Sequence, residues 1–296
     1  MGHEFGGIIE EVGDGVTHLS PGQRAVVRPT IFDGTCSACK QGQEHCCEYI
    51  GFIGLSESDN LMAFPRLRGG LSKKIVAPAG HFYPITNNIS LEAAALIEPL
   101  AVAWHAVSLS PFKSGDNVLL VGGGPIGVSV VQVLKLQGAK NIIVSELMDN
   151  RQRLCRKYGA THILDPREGD IAQGVREITG GVGADVIFDA AGVEKALVGA
   201  IPACRVQGTI VNIAVWEKPP SIPVNQLMYK ELRYVGAALY DETSFLDTIR
   251  AVNDGQLRPE DMITSRITLD EVVEKGFKTL LEHKDEHCKI LVDVQA

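Results

Sequence analysis

The apolar positions of this chain fall into two regimes. From about residue 114 to 240, short runs of four to six apolar residues alternate with longer segments of helical periodicity. The runs predict strands at 118–122, 142–146, 162–165, 186–190, 209–213 and 234–238. The segments between them predict helices near 126–137, 150–158, 169–178 and 194–203. Strands apolar along their whole length are buried on both faces, and strand–helix alternation at this spacing means a parallel sheet built from βαβ units. Before residue 114 the pattern differs. Ile8, Ile9 and Val12 read as one short strand and Arg24–Val27 as another, each bounded by glycine turns. An alanine-rich stretch at 91–107 reads as helix broken at Pro99. Two helical stretches near 241–254 and 270–283 and a strand at 289–294 close the chain.

The first strand of the alternating region runs into Gly122-Gly-Gly124-Pro125-Ile126-Gly127, which carries glycines at G-x-G-x-x-G spacing before an apolar helix. The first glycine permits a tight turn, the second a close approach of backbone to phosphate, and the third close packing of helix on strand. A helix N-terminus offers free N–H groups and positive dipole to a pyrophosphate, and Pro125 suits the first helical position. The second strand ends in Glu146, 19 positions after Gly127. A carboxylate there accepts the ribose hydroxyls of NAD and repels the 2′-phosphate of NADP. Arg151 is the counterweight, since an arginine can hold a phosphate.

Composition narrows the classes. With 45% hydrophobic and 22% charged residues, the 296-residue chain reads as globular, with room for two domains. A net charge of −8 argues against a nucleic-acid partner. No apolar run spans a bilayer, and the start Met-Gly-His-Glu-Phe is no signal peptide, so the expected compartment is the cytoplasm. Four of seven cysteines crowd between Cys36 and Cys47, which points to metal before disulfides.

Residues 2–16 read Gly-His-Glu-x-x-Gly-x5-Gly-x-x-Val. This run resembles the signature of the zinc-containing medium-chain alcohol and polyol dehydrogenases. The resemblance implies that His3 is a ligand of a catalytic zinc, with Glu4 beside it. In the segment Ile97-Glu98-Pro99-Leu100, it further implies that Glu98 sits at the same metal, as in the sorbitol and butanediol branch. Neutral imidazole and carboxylate oxygen both suit zinc. The family's structural zinc lobe has four cysteines with gaps of two, two and seven. Here Asp33, Cys36, Cys39 and Cys47 keep that spacing with aspartate in the first position, and His45 and Cys46 stand nearby as further donors.

The resemblance implies a doubly wound α/β Rossmann sheet inserted in a GroES-like, β-rich catalytic domain that lacks its N-terminal strands. The expected domains are 1–108 with a zinc lobe at 33–47, 109–250 for NAD binding, and 251–296 as a return to the catalytic domain. The expected reaction is zinc- and NAD-dependent oxidation of a secondary alcohol or vicinal diol, 2,3-butanediol or acetoin before a polyol. Zinc would act as a Lewis acid and hydride would pass to the nicotinamide. The expected partners are a small alcohol or ketone and further copies of the chain, as a dimer or tetramer. Family members carry a segment before Gly-His-Glu with a further cysteine ligand, so the chain reads as N-terminally truncated. That leaves a second reading, a catalytically impaired or inactive NAD-binding paralogue.

Overall fold

The computed structural model describes residues 1–55, 69–283 and 285–296. The chain forms two compact units, one from Met1–Ala101 with Leu239–Ala296, the other from Val102–Ala238. The second unit is thus an insertion in the first. The boundaries read from the sequence, at 108/109 and 250/251, fall later than these. The difference has a local cause: the helix Ile97–Leu109 carries the first crossing within itself rather than at its end.

In the inserted unit, β1 (Asn117–Val121), β2 (Asn141–Ser145), β3 (His162–Leu164), β4 (Ala184–Asp189), β5 (Cys204–Asn212) and β6 (Arg233–Gly236) form one sheet. Its order is β6-β5-β4-β1-β2-β3 and every pairing is parallel. This is the dinucleotide-fold order, with the reversal of direction at β1. Leu119, Ile143, Ile187 and Ile210 meet across the sheet in a core closed by Val175, Leu197 and Ile201 from the covering helices. One strand exceeds expectation. β5 begins at Cys204, not 209, because a register irregularity between Cys204 and Thr209, with Gln207 at φ +57°, lets the strand continue toward β4.

The first unit is built from short sheets. Gly6–Ile8, Arg24–Val27 and Phe82–Pro84 form an antiparallel sheet. Thr30–Ile31 pairs with Gly51–Phe52, and Ile263–Thr268 runs parallel to Lys289–Asp293. The first strand lies earlier than its apolar residues suggest, because pairing sets Gly6 opposite Val26 and leaves Ile9 and Val12 outside the ladder. A Cβ on Gly6 would come within 2.7 Å of the Ala94 Cβ, so the strand approaches the helix Leu91–Ala95 as only glycine permits. Val27, Ile31 and Ile53 form one small core, and Ile9, Leu19 and Ala25 another.

Pro99 does not break a helix. The break falls at Leu96, and Pro99 is the third residue of the helix Ile97–Leu109. N–H groups in a first helical turn have no intrahelical partner, so a proline there costs no hydrogen bond. The stretch near 270–283 is likewise helical but uneven, a 3₁₀ turn at Leu269–Glu271, a π segment at Val272–Lys278 and an α turn at Thr279–Glu282.

His81 stabilises the first unit only while neutral. Its Nδ1 lies 3.0 Å from the Arg28 carbonyl oxygen, and burial is the main cause holding its pKa below 6.5. The unfolded chain therefore binds this proton more readily. The stability contribution is complete above about pH 6.5 and declines as pH falls through the lower folded-state value. Urea unfolding of His81→Gln should show a shallower loss of stability between neutral and mildly acidic pH than the native chain. Equal slopes for the two proteins would refute this.

Candidate functional site

Two groups of ligand atoms assemble in the first unit. In the first, one ligand atom each from His3, Glu4 and Glu98 lies within 4.8 Å of the others. The sequence separates the pair at the start from Glu98 by more than ninety positions, and the fold reunites them. Glu98 stands in the first turn of Ile97–Leu109, where the helix dipole favours a negative charge. It is only 4% exposed. Burial, and then the neighbouring Glu4, push its carboxyl up to about 8, while Lys289 and Tyr240 pull the other way. The Lys289 ammonium pairs with Glu4. Burial also lowers the pKa of His3, so its imidazole keeps a free lone pair at neutral pH. Two acids and an unprotonated imidazole in a half-buried spot form a set that a divalent cation would satisfy and that is costly without one.

The second group is Asp33, Cys36, Cys39 and Cys47, again with ligand atoms within 4.8 Å of one another. Backbone N–H groups of Asp33 and Tyr49 point at the Cys47 sulfur at 3.4 and 3.3 Å. The Asp33 carboxylate accepts from the Thr35 hydroxyl at 2.8 Å and from the Cys36 and Thr35 N–H groups at 3.1 Å, and these bonds, the hydroxyl's first, hold it well below the usual carboxylate range. The Cys39 thiol is pushed up to about 12, by burial first and then by its hydrogen bond with Asp33, while Cys36 is lowered by the Cys39 N–H. One oxygen and three sulfurs at mutual contact fit a closed tetrahedral zinc site. His45 and Cys46 fall outside this tetrad.

In the inserted unit, β1 ends in the glycine turn. Gly122 has φ +92°, in the left-handed region, and Gly124 caps α1 (Pro125–Leu136) with Pro125 in first position. A Cβ on Gly127 would stand 2.1 Å from the Gly122 carbonyl oxygen, which makes the third glycine the one that lets helix and strand meet. Ile126 is the second residue of that helix. Glu146 follows β2 at once and does a task the sequence did not show. Its Oε2 accepts from the Gly123 N–H at 2.6 Å, and its Oε1 from the N–H groups of Leu147 and Met148 at 2.7 and 2.8 Å. The carboxylate thereby fixes the glycine turn, with acceptor capacity left for a ribose hydroxyl. Arg151, in α2 (Asp149–Tyr158), brings its Nη1 within 3.8 Å of where a Gly124 Cβ would lie. Both cofactor candidates therefore border the turn.

With this geometry in hand, comparison with known proteins is direct. Residues 125–254 match the family described as zinc-binding dehydrogenase, and residues 1–87 match the alcohol dehydrogenase GroES-like domain. The chain is 37% identical to an (R,R)-butanediol dehydrogenase of Neisseria gonorrhoeae, over 99% of this chain and 80% of that protein.

The chain belongs to the zinc-binding dehydrogenase family.

Its structure is similar to that of the 2R,3R-butanediol dehydrogenase of Bacillus subtilis, with a TM-score of 0.89 and 34% identity over 99% of this chain and 80% of that one. It is also similar to a protein described as a short chain alcohol dehydrogenase of E. coli CFT073, solved in complex with NADH, with a TM-score of 0.88 and 26% identity, covering 99% and 83%. As a zinc-binding dehydrogenase with an alcohol dehydrogenase GroES-like domain, this chain is an oxidoreductase of alcohols. The comparisons lend no support to an inactive nucleotide-binding paralogue. Among the described residues, no helix is long and apolar enough to cross a membrane.

Sequence reading missed Gly123, whose Cβ would meet the Cys155 sulfur at 2.9 Å and Glu146 Oε2 at 3.1 Å. Its place inside the glycine run was the available signal. Nothing local marked Lys289 or Tyr240. For the turn itself, Gly127→Ala should lower the urea-unfolding free energy by about 1–3 kcal/mol, the usual range for overpacking, and weaken NADH binding. Gly169→Ala, which meets nothing within 4 Å, should change neither. Equal behaviour of the two variants would contradict the packing argument.

Proposed function

We propose that this zinc-binding dehydrogenase oxidises a vicinal diol of the 2,3-butanediol type, or reduces the matching hydroxyketone acetoin, with NAD as the hydride carrier. The observation that carries the reading is the convergence of His3, Glu4 and Glu98. When bound, zinc supplies a Lewis acid that makes an alcohol more acidic, and NAD supplies the acceptor for its hydride. The residues do the rest. His3 offers a neutral nitrogen because burial disfavours its protonated form. Glu98 offers a carboxylate from a rigid helix start. Glu4, held by Lys289, balances charge beside both. Gly122, Gly124 and Gly127 shape the turn, Pro125 and Ile126 open the helix whose N-terminus receives the pyrophosphate, Glu146 takes the adenosine ribose, and Arg151 lies next to the phosphates. Asp33, Cys36, Cys39 and Cys47 hold a second, structural zinc.

Substrate class follows from two supports, the carboxylate at position 98 where classical alcohol dehydrogenases place a cysteine, and the likeness to butanediol dehydrogenases. The same reading makes the enzyme a cytoplasmic dimer or tetramer. No disulfide joins the described cysteines, which suits a reducing compartment, and β6 is a sheet edge that follows exposed Val224, Met228 and Tyr229 in sequence. The domain roles expected at 1–108, 109–250 and 251–296 are part of this proposal.

NADH formation with zinc present should be faster on (R,R)-2,3-butanediol than on sorbitol or ethanol. Glu98→Gln should lower kcat/KM on the order of 100-fold, the scale of losing one electrostatic contact in the transition state, with NADH affinity unchanged. Turnover of Glu98→Gln equal to the native rate would sink the assignment. For the lobe, Asp33→Ala should release one equivalent of zinc to a mild chelator and lower Tm, whereas Asp33→Cys should hold that zinc more tightly. Identical metal content in all three proteins would count against a site there.

A further inference from the structure

At the carboxyl end of the inserted sheet, β2 and β3 finish side by side. Ser145 pairs with Leu164, and the Glu146 N–H still donates to the Leu164 carbonyl oxygen at 3.2 Å. The two loops that follow are joined by one side chain. Arg167 donates from Nη2 to the Leu147 carbonyl oxygen at 2.8 Å, twenty positions back along the chain. The same guanidinium is held by Asp165. Its Nε lies 3.0 and 2.9 Å from the two carboxylate oxygens, Nη2 donates to Oδ2, and the Arg167 backbone N–H donates to Oδ1 at 2.8 Å. Asp149 adds a further negative charge, 3.8 Å from Nη2. The Asp165 side chain is only 7% exposed, against 59% for Arg167. Exposed ion pairs contribute little, because two mobile side chains must be ordered for one contact. This pair differs: a short, largely buried acid fixes the planar fork through both its oxygens, and a donor is left aimed at a backbone carbonyl.

Leu147 directly follows Glu146, whose carboxylate carries the N–H groups of Gly123, Leu147 and Met148. Gln152 donates to the Glu146 carbonyl oxygen at 2.8 Å, and Arg167 serves the next carbonyl in line. The corner is thereby tied from three sides. The Leu147 side chain nevertheless stays 42% exposed, an apolar surface kept beside an acid. Adenosine carries the matching pair of features, hydroxyls on its ribose and a flat apolar face on its base. We propose that Arg167, braced by Asp165, is the positioning residue for the adenosine end of the cofactor. It holds the Leu147 carbonyl, and so keeps the Leu147 side chain and the Glu146 carboxylate in one fixed relation that receives base and ribose together. A corner ordered beforehand spares the nucleotide the cost of ordering it on binding. The inference rests on the reading that Glu146 takes the adenosine ribose of NAD.

AMP carries the adenosine end alone, so calorimetric titration of the full chain with AMP isolates this corner. Arg167→Met keeps a long stem and removes the donors. It should weaken AMP binding about tenfold, the scale of one charge-assisted hydrogen bond, while the thermal midpoint without nucleotide stays native. Arg167→Lys offers a point charge that reaches one acceptor but cannot reproduce the fork, and should recover part of the affinity. Asp165→Asn leaves the fork unbraced and should lose part of it. Native AMP affinity in Arg167→Met would overturn the proposal while the reading of Glu146 stands, and so would a loss found only together with a lowered thermal midpoint. If the native chain does not bind AMP, or if Glu146→Gln binds it as tightly as the native chain, the reading of Glu146 falls and the proposal falls with it.

Discussion

Glu98 is a carboxylate held out of water beside another carboxylate, and the first unit is arranged around the need of that place for positive charge. An acid at 4% exposure is costly as an anion, and Glu4 makes it costlier. Lys289 meets part of the demand through Glu4. The rest is what a dication satisfies, and the unprotonated imidazole of His3 fits the same role. The helix start at Ile97, the strand Lys289–Asp293 and the opening residues of the chain each bring one charged group to this point. A neutral residue at position 98 would leave Glu4 and Lys289 as an ordinary half-buried ion pair, with nothing to bind.

The second metal group follows a different logic. The tetrad of Asp33, Cys36, Cys39 and Cys47 is local, drawn from fifteen consecutive residues, and its geometry comes from turns and backbone N–H groups rather than from distant elements. Aspartate in place of a first cysteine exchanges a soft donor for a hard one. Its hydrogen bonds from Thr35 and Cys36 keep it ionised, so the hard donor carries a negative charge of its own. The opposed shifts of Cys36 and Cys39 reflect their surroundings, a backbone N–H on the Cys36 sulfur and burial of Cys39 beside Asp33.

In the inserted unit, the glycine turn and Glu146 support each other. The turn is tight enough that its third glycine nearly touches its first, and the carboxylate after β2 reaches across to bind the N–H of Gly123. The group proposed to read the ribose also holds the loop proposed to receive the pyrophosphate. On that reading, cofactor discrimination and loop order are coupled through one side chain.

Much of this was legible in sequence because it depends on local rules. Fully apolar strands, glycine spacing, a proline at the first helical position and closely spaced cysteines are short-range signals with direct physical causes, and they fixed the six parallel strands, the turn and the tetrad. The Gly-His-Glu run and the Glu98 segment were visible too, but their association rested on resemblance, since no local rule brings residues 3 and 98 within one coordination sphere. Tertiary structure alone decided that Pro99 lies in the first turn of a helix rather than breaking one, that Glu146 ties down Gly123, and that Lys289 reaches Glu4. Those contacts join residues up to 285 positions apart. Periodicity and spacing describe a chain's neighbours along itself, whereas burial of charge is a property of whatever the finished fold places around it.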